Sequence, residues 1–205
     1  PNKREAKLLE AMATASYEQI KNLNPQRQYT YRRINHFREY LRQIQGKSRA
    51  SIPQSLLDDL RKEFKKSNID LGRLVPSLVR KRLRKTGQSK FYEHVEAITH
   101  ALNPSYVPIC LTTAEEEKLC FMFTQIEGPY EKIKKTVKKT RENFLSYPFV
   151  FFRLCELLEL DQYLRAAQLL KSVTLLIEQD AFWKLICEML EWEYCGRSCD
   201  LAMKR

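Results

Sequence analysis

An all-α fold, a multi-helix bundle of about nine or ten helices, is predicted by three observations. Apolar residues recur at three- and four-residue intervals along nearly the whole chain. Period-two alternation of strand length is absent. The 205 residues include only 5 Gly, and Gly and Pro punctuate the helical patterns. Apolar residues make up 43% of the chain, with 10 Phe, 10 Tyr and 2 Trp, enough for a sizeable core and too many for a disordered chain. Apolar runs such as Phe149 to Phe152 are far too short to span a bilayer.

The elements follow in order. A first helix is expected from Arg4 to Lys21, with Leu8, Met12 and Ala15 on one side, closed by Asn24-Pro25. The second carries Ile34, Phe37, Leu41 and Ile44 as one stripe, projects Arg32, Arg33, Arg38 and Arg42 elsewhere, and stops at Gly46. Ser51-Ile52-Pro53 begins a helix with Leu56, Leu57, Leu60 and Phe64 inside; Val75-Pro76-Ser77 repeats that grammar for Leu78, Val79 and Leu83. After Thr86-Gly87, Tyr92, Val95, Ile98 and Leu102 mark another buried side, ended by Asn103-Pro104. Residues 103–113, holding Pro104 and Pro108, are the expected seam between two halves. Thr113 followed by Glu115, Glu116 and Glu117 starts the next helix, since a hydroxyl caps free N–H groups and carboxylates favour the positive end of the dipole. Gly128-Pro129 is expected to turn the chain into a basic segment edged by Ile133 and Val137. Pro148 restarts helix, Asp161 caps the next, and Ser172 caps the last long one, ending near Trp192.

Charge is unevenly placed. Residues 1–141 carry 29 basic and 15 acidic side chains, a net of +14, whereas residues 142–205 carry 7 and 10, a net of −3. A basic surface of that size attracts polyanions, so nucleic acid or an acidic protein surface is the expected partner. Two basic runs concentrate it: Arg80, Lys81, Arg82, Arg84 and Lys85, then Lys132, Lys134, Lys135, Lys138, Lys139 and Arg141. In each, cations flank a narrow apolar edge that can dock on a core while the charges face phosphate. Neither run holds a base-reading motif, so phosphate contact with steep salt dependence is expected. Arg32, Arg33, Arg38 and Arg42 form a weaker third set.

The six cysteines read as reduced thiols, and the Cys195/Cys199 spacing lacks a second pair to complete a metal site. His36, His94 and His100 are too far apart in sequence to act together and are expected to make structural hydrogen bonds near the core. No phosphate loop, nucleophile elbow or carboxylate cluster is present, and no catalytic residue is assigned. Asn143 and Tyr147, with Arg141 beside them, read as a polar helix boundary. Gln179, Asp180, Trp183 and Trp192 read as core pins, with Trp183 and Trp192 also the candidate protein-partner face.

Several phrases carry a resemblance: YRRINHFREYLRQIQGK at 31–47, Ile52-Pro53, VRKRLRK at 79–85, KFYEHVEAI at 90–98, MFTQIEGPYEK at 122–132, RENFLSYPFV at 141–150, LLKS at 169–172, and QDAFWKLIC with LEW from 179 to 192. Taken together and in this order they resemble the viral late transcription factor 3 family of poxviruses and other large DNA viruses. The resemblance implies a helical domain over 29–194, preceded by a helix or linker at 1–28 and followed by a tail at 195–205. It implies a non-enzymatic factor for late gene transcription that bridges viral RNA polymerase, or other late transcription factors, to DNA. Its place would be the infected host cell, in a cytoplasmic virus factory or the nucleus, or packaged in the virion. Neither membrane nor small-molecule substrate is implied. Family members typically carry an N-terminal zinc-binding segment, but no CxxC pair precedes Tyr29, so that segment is expected either to lie outside this chain or to be lost, and no cofactor is expected in the chain itself. The alternative is a structural or packaging protein that binds nucleic acid nonspecifically. By analogy with cellular initiation factors, the two halves would be cyclin-like five-helix repeats.

Overall fold

The computed structural model describes residues 27–47, 52–136 and 143–195. Among them are seven α-helices and three 3-10 helices, and no strand. The helix expected over Arg4 to Lys21 lies outside the described residues.

Helix α1 (Arg27–Ile44) buries Ile34, Phe37, Leu41 and Ile44, the stripe its spacing predicts. It stops because Gly46 takes φ +65°, which lets the Lys47 N–H reach the Arg42 carbonyl at 2.9 Å and the Gly46 N–H the Gln43 carbonyl at 3.0 Å. A Cβ there would also come within 3.2 Å of Pro108, so glycine serves the turn and a close approach together. Beside it, buried Gln45 donates to the Leu41 carbonyl (3.0 Å) and to Glu116 (3.3 Å), and accepts from the Leu111 N–H (3.1 Å). One amide thus fastens the end of α1 to the start of a later helix.

Helices α2 (Gln54–Lys66), α3 (Pro76–Lys85) and α4 (Val95–Leu102) form their own core from Leu56, Leu57, Leu60, Phe64, Leu74, Val79, Leu83, Val95, Ile98 and Leu102. Pro76 occupies the first turn of α3, where its missing N–H removes no helical bond. Tyr92 lies outside α4, in a 3-10 helix (Ser89–His94), so that helix is shorter than its apolar spacing predicts. Asn103 closes α4 and ties it back, donating to the Gly72 and Leu74 carbonyls at 3.2 and 3.1 Å.

Helix α5 (Thr113–Thr136) departs from expectation at both landmarks. Its cap is Thr112, one residue earlier than predicted: the hydroxyl accepts from the Glu115 N–H at 3.2 Å, and the Glu115 carboxylate accepts from the Thr112 N–H at 2.7 Å, a reciprocal box. Nor does Gly128-Pro129 end it. The helix continues with Pro129 inside because Ile126, Tyr130 and Ile133 continue the buried stripe, and the Gln125 carbonyl four residues before the proline sits on an exposed residue where water can serve it. Helix α6 (Tyr147–Leu157) has Pro148 in its first turn; residues Asp161–Ala166 form a 3-10 helix rather than an α-helix; and α7 (Val173–Leu190) is capped by the Ser172 hydroxyl. Together α1, α5, α6 and α7 enclose the larger core, where Phe37 stacks on Phe123 at 4.3 Å and Phe144 meets Tyr130 edge-on at 4.7 Å. Among the described residues the helices therefore divide four and three, with α1 joining the later helices.

Two buried ionisable side chains lie in the larger core, one paired and one not. Arg153 is 1% exposed. It donates Nη1 to Glu156 (2.9 Å) and to the Cys195 carbonyl, and Nη2 to Asp180, and Tyr194 donates its hydroxyl to the other Asp180 oxygen at 2.5 Å. Glu127 on α5 is buried with neither carboxylate oxygen hydrogen-bonded. Burial pushes its carboxyl up to about 8, against the pull of Arg33 on α1 and with the repulsion of Glu131.

Replacing Arg153 by Met should cost about 3–5 kcal/mol in urea unfolding, because Asp180 is left in the core without its cation. The double change Arg153→Met/Asp180→Leu should recover part of that deficit; equal deficits would deny the ion pair its role. For Glu127 the sign is as follows. A carboxyl raised from 4.5 to about 8 on folding contributes stability present below pH 4.5 and lost as pH rises toward 8. Glu127→Gln should therefore gain on the parent across that window, by at most about 1.4 kcal/mol per pH unit. Parallel stability–pH curves would refute it.

Candidate nucleic-acid interface

The first basic run lies on α3, one edge of which is docked by Val79 and Leu83. The remaining positions sort into two kinds. Arg82 turns inward: its guanidinium sits 5.2 Å from the Phe64 ring centre, reaches the Ser67 hydroxyl at 2.7 Å and Glu63 at 3.6 Å, and so binds α3 to α2. Arg80 is exposed but lies over the Tyr92 ring at 4.4 Å. Lys81, Arg84 and Lys85 are exposed and make no ion pair among the described residues. These three, rather than all five, are the free cations of the run.

The neighbouring end of α2 adds to them. Arg61, Lys62 and Lys65 line a shallow open depression of about 430 Å³, together with Asn68, Ile69, Asp70 and Leu71. Arg61 is shared with Asp58 at 2.8 Å and Lys62 with Asp59 at 4.0 Å, both one turn away on the exposed face. Such pairs are weakly held and yield to a phosphate at little cost.

The second run rides on the other core. Lys132 and Lys135 are exposed and Lys134 half-buried in the last turns of α5, while Lys138, Lys139 and Arg141 lie outside the described residues. The third set is largely spent on packing. Arg33 pairs with Glu131 at 2.7 Å with its guanidinium 4.9 Å from the Phe144 ring centre, and Arg42 pairs with Glu39 at 3.5 Å. Arg38 reaches toward the buried Cys120 thiol.

Trp183 corrects the expectation of a partner-binding face. It is 1% exposed, crossed edge-on by Phe149 at 6.4 Å, and offers no surface. Trp192 is half-buried, 6.3 Å from Trp183, and retains an accessible side. His36 is exposed rather than near the core; His100 is exposed with Nδ1 2.7 Å from the Tyr106 carbonyl; His94 is half-buried beside Phe91. Tyr130 bonds the Asn143 carbonyl at 2.8 Å, a boundary contact of the expected kind. Gln179, buried, accepts the Ser146 N–H at 2.7 Å and so fixes the start of α6.

Among the described residues no group of three or more His, Cys, Asp or Glu is arranged to hold a metal ion, so the zinc that the resemblance implies finds no ligand set there. Burial pushes the Cys187 thiol up to about 12 and raises Cys120 and Cys155, keeping all three protonated at neutral pH. No described helix is long and apolar enough to cross a membrane. Reading the sequence missed Arg153 and Glu127. Their signal was a lone charge inside an apolar stripe, at FVFFRLC and at QIEGPY, which requires a partner from elsewhere in the fold or a shifted protonation state.

Residues 24–194 match the family model described as Poxvirus Late Transcription Factor VLTF3 like. A protein of Acanthamoeba polyphaga mimivirus named "Putative transcription factor" is 37% identical over 166 residues, covering 81% of this chain and 38% of that protein. One of Paramecium bursaria Chlorella virus 1, similarly named, is 37% identical over 166 residues, covering 80% of this chain and 45% of the relative. The chain thus spans less than half the length of either. A second mimivirus protein of the same description is 26% identical over 145 residues. No solved structure matches. With the match running through both cores, the basic helix of the smaller one included, the chain belongs to the late transcription factor VLTF3-like family of large DNA viruses.

Proposed function

We propose that this chain is a non-enzymatic part of a late-gene transcription factor that holds DNA against the viral RNA polymerase or its initiation partners in the infected cell, through the face formed by α3 and the end of α2. The observation that carries the reading is the set Lys81, Arg84 and Lys85, exposed and unpaired among the described residues on a helix whose opposite edge is locked into a core. Fixed cations without internal partners lose little on meeting phosphate and release the counterions condensed on DNA. They are point charges without a base-reading frame, so they favour position over sequence, and promoter choice falls to partners. The accessible side of Trp192 and the net-negative last third of the chain supply the protein-facing surface in this reading.

Lys81→Gln/Arg84→Gln/Lys85→Gln should lower the slope of log affinity against log salt by roughly 0.9 for each phosphate no longer neutralised, with little change in stability. An unchanged slope on duplex DNA would remove this face from the reading. Pull-down with polymerase subunits, with and without late-promoter DNA, should recover the chain; recovery only with bulk DNA or capsid proteins would instead assign it to genome packaging.

A further inference from the structure

Six cations and one acid lie between residues 80 and 94, a stretch that also holds Phe91 and Tyr92. Both rings belong to the 3-10 helix Ser89–His94; they pack against the smaller core on one side and are left half-buried. Each carries a cation. The exposed Arg80 guanidinium lies 4.4 Å from the Tyr92 ring centre, and the exposed Lys90 ammonium lies 5.1 Å from that of Phe91. Among the described residues neither cation makes an ion pair. The one acid, Glu93, follows Lys90 by three residues, so at three residues per turn it shares the edge of Lys90 and not the edge that presents Tyr92 to α3. On α3, Arg80 stands one turn before Arg84 and Lys81 one turn before Lys85, which sets the three free cations beside the guanidinium that covers Tyr92.

These features together suit a particular form of nucleic acid. A guanidinium held over a ring is planar, weakly hydrated and already ordered, so its outer face can take a nucleobase with little further loss of freedom. The Lys90 ammonium has no such face; it can turn to a phosphate and leave the Phe91 ring to a second base. A duplex can use neither surface, because its bases are stacked on one another and only their edges and the backbone are open. An unpaired strand can use both, and it does so without regard to sequence, since every base has a π face.

We infer that the surface made by α3 and the 3-10 helix Ser89–His94 takes single-stranded DNA, its bases stacking on Arg80 over Tyr92 and on Phe91, its phosphates meeting Lys81, Arg84 and Lys85. The inference rests on the DNA-binding reading above and narrows it from DNA in general to an unpaired strand, which the opening of a promoter supplies.

The test is binding of the 205-residue chain to a short mixed-sequence strand and to the same sequence as duplex, read by fluorescence anisotropy at one salt concentration. A duplex packs its phosphates more densely, so charge alone favours it. The single strand should nonetheless bind about tenfold more tightly. Arg80→Lys, which keeps the charge and loses the plane, should erase most of that preference, and it lies on the surface where folding is not at risk. Tyr92→Leu should do the same, whereas Tyr92→Phe should retain the preference. A strand carrying 5-iododeoxyuridine should photocross-link to the Ser89–His94 segment, as mapped by peptide mass spectrometry. Duplex bound as tightly as single strand, or more so, overturns the inference and leaves the DNA reading standing. A single-strand preference that survives both Arg80→Lys and Tyr92→Leu, or cross-links confined to other segments, overturns it equally. Binding to neither form overturns both.

Discussion

A guanidinium taken out of water must be met by oxygen wherever protein replaces solvent, and that requirement organises the larger core around Arg153. Its side chain starts on α6, yet its partners are the adjacent Glu156, Asp180 on α7 and the Cys195 carbonyl beyond α7's end. Tyr194 completes the arrangement by donating to Asp180 and lying against the guanidinium. Because losing either side would strand an ion in an apolar setting, this network holds α6 and α7 to one another. On the same two helices Phe149 meets Trp183 edge-on, and α5 and α1 share the core with them.

The smaller core works under a different constraint. Among the described residues it has no buried ion pair of this kind, and its polar fastenings include Asn103 to the Gly72 and Leu74 carbonyls and Arg82 to Glu63 and Ser67. Arg82 spends its charge inside the lobe, which orients α3 so that Lys81, Arg84 and Lys85 stand on the outer surface. One cation of the run is therefore structural, and removing it would misplace the others.

How far the sequence could be read follows from how local each determinant is. The buried stripe of α1, the proline starts of α3 and α6 and the Ser172 cap depend on residues within a turn or two, and each was legible. Gly128-Pro129 misled because a local helix breaker was outweighed by three buried side chains that only the tertiary core rewards. Arg153 was invisible in its role because, Glu156 apart, its partners lie 27 and 42 residues away. Basic runs were plain as composition. Which cations turn inward was not, since that depended on Phe64, Ser67 and Tyr92 arriving from other elements.

The division into two unequal cores bears on motion. Among the described residues the lobe of α2, α3 and α4 rests on ten buried apolar side chains, whereas the other rests on twenty-six and a buried ion network. Fewer buried contacts leave its amide hydrogens to exchange with deuterated solvent sooner. The positive helix is thus carried on the softer of two linked bodies, while the harder one keeps its shape.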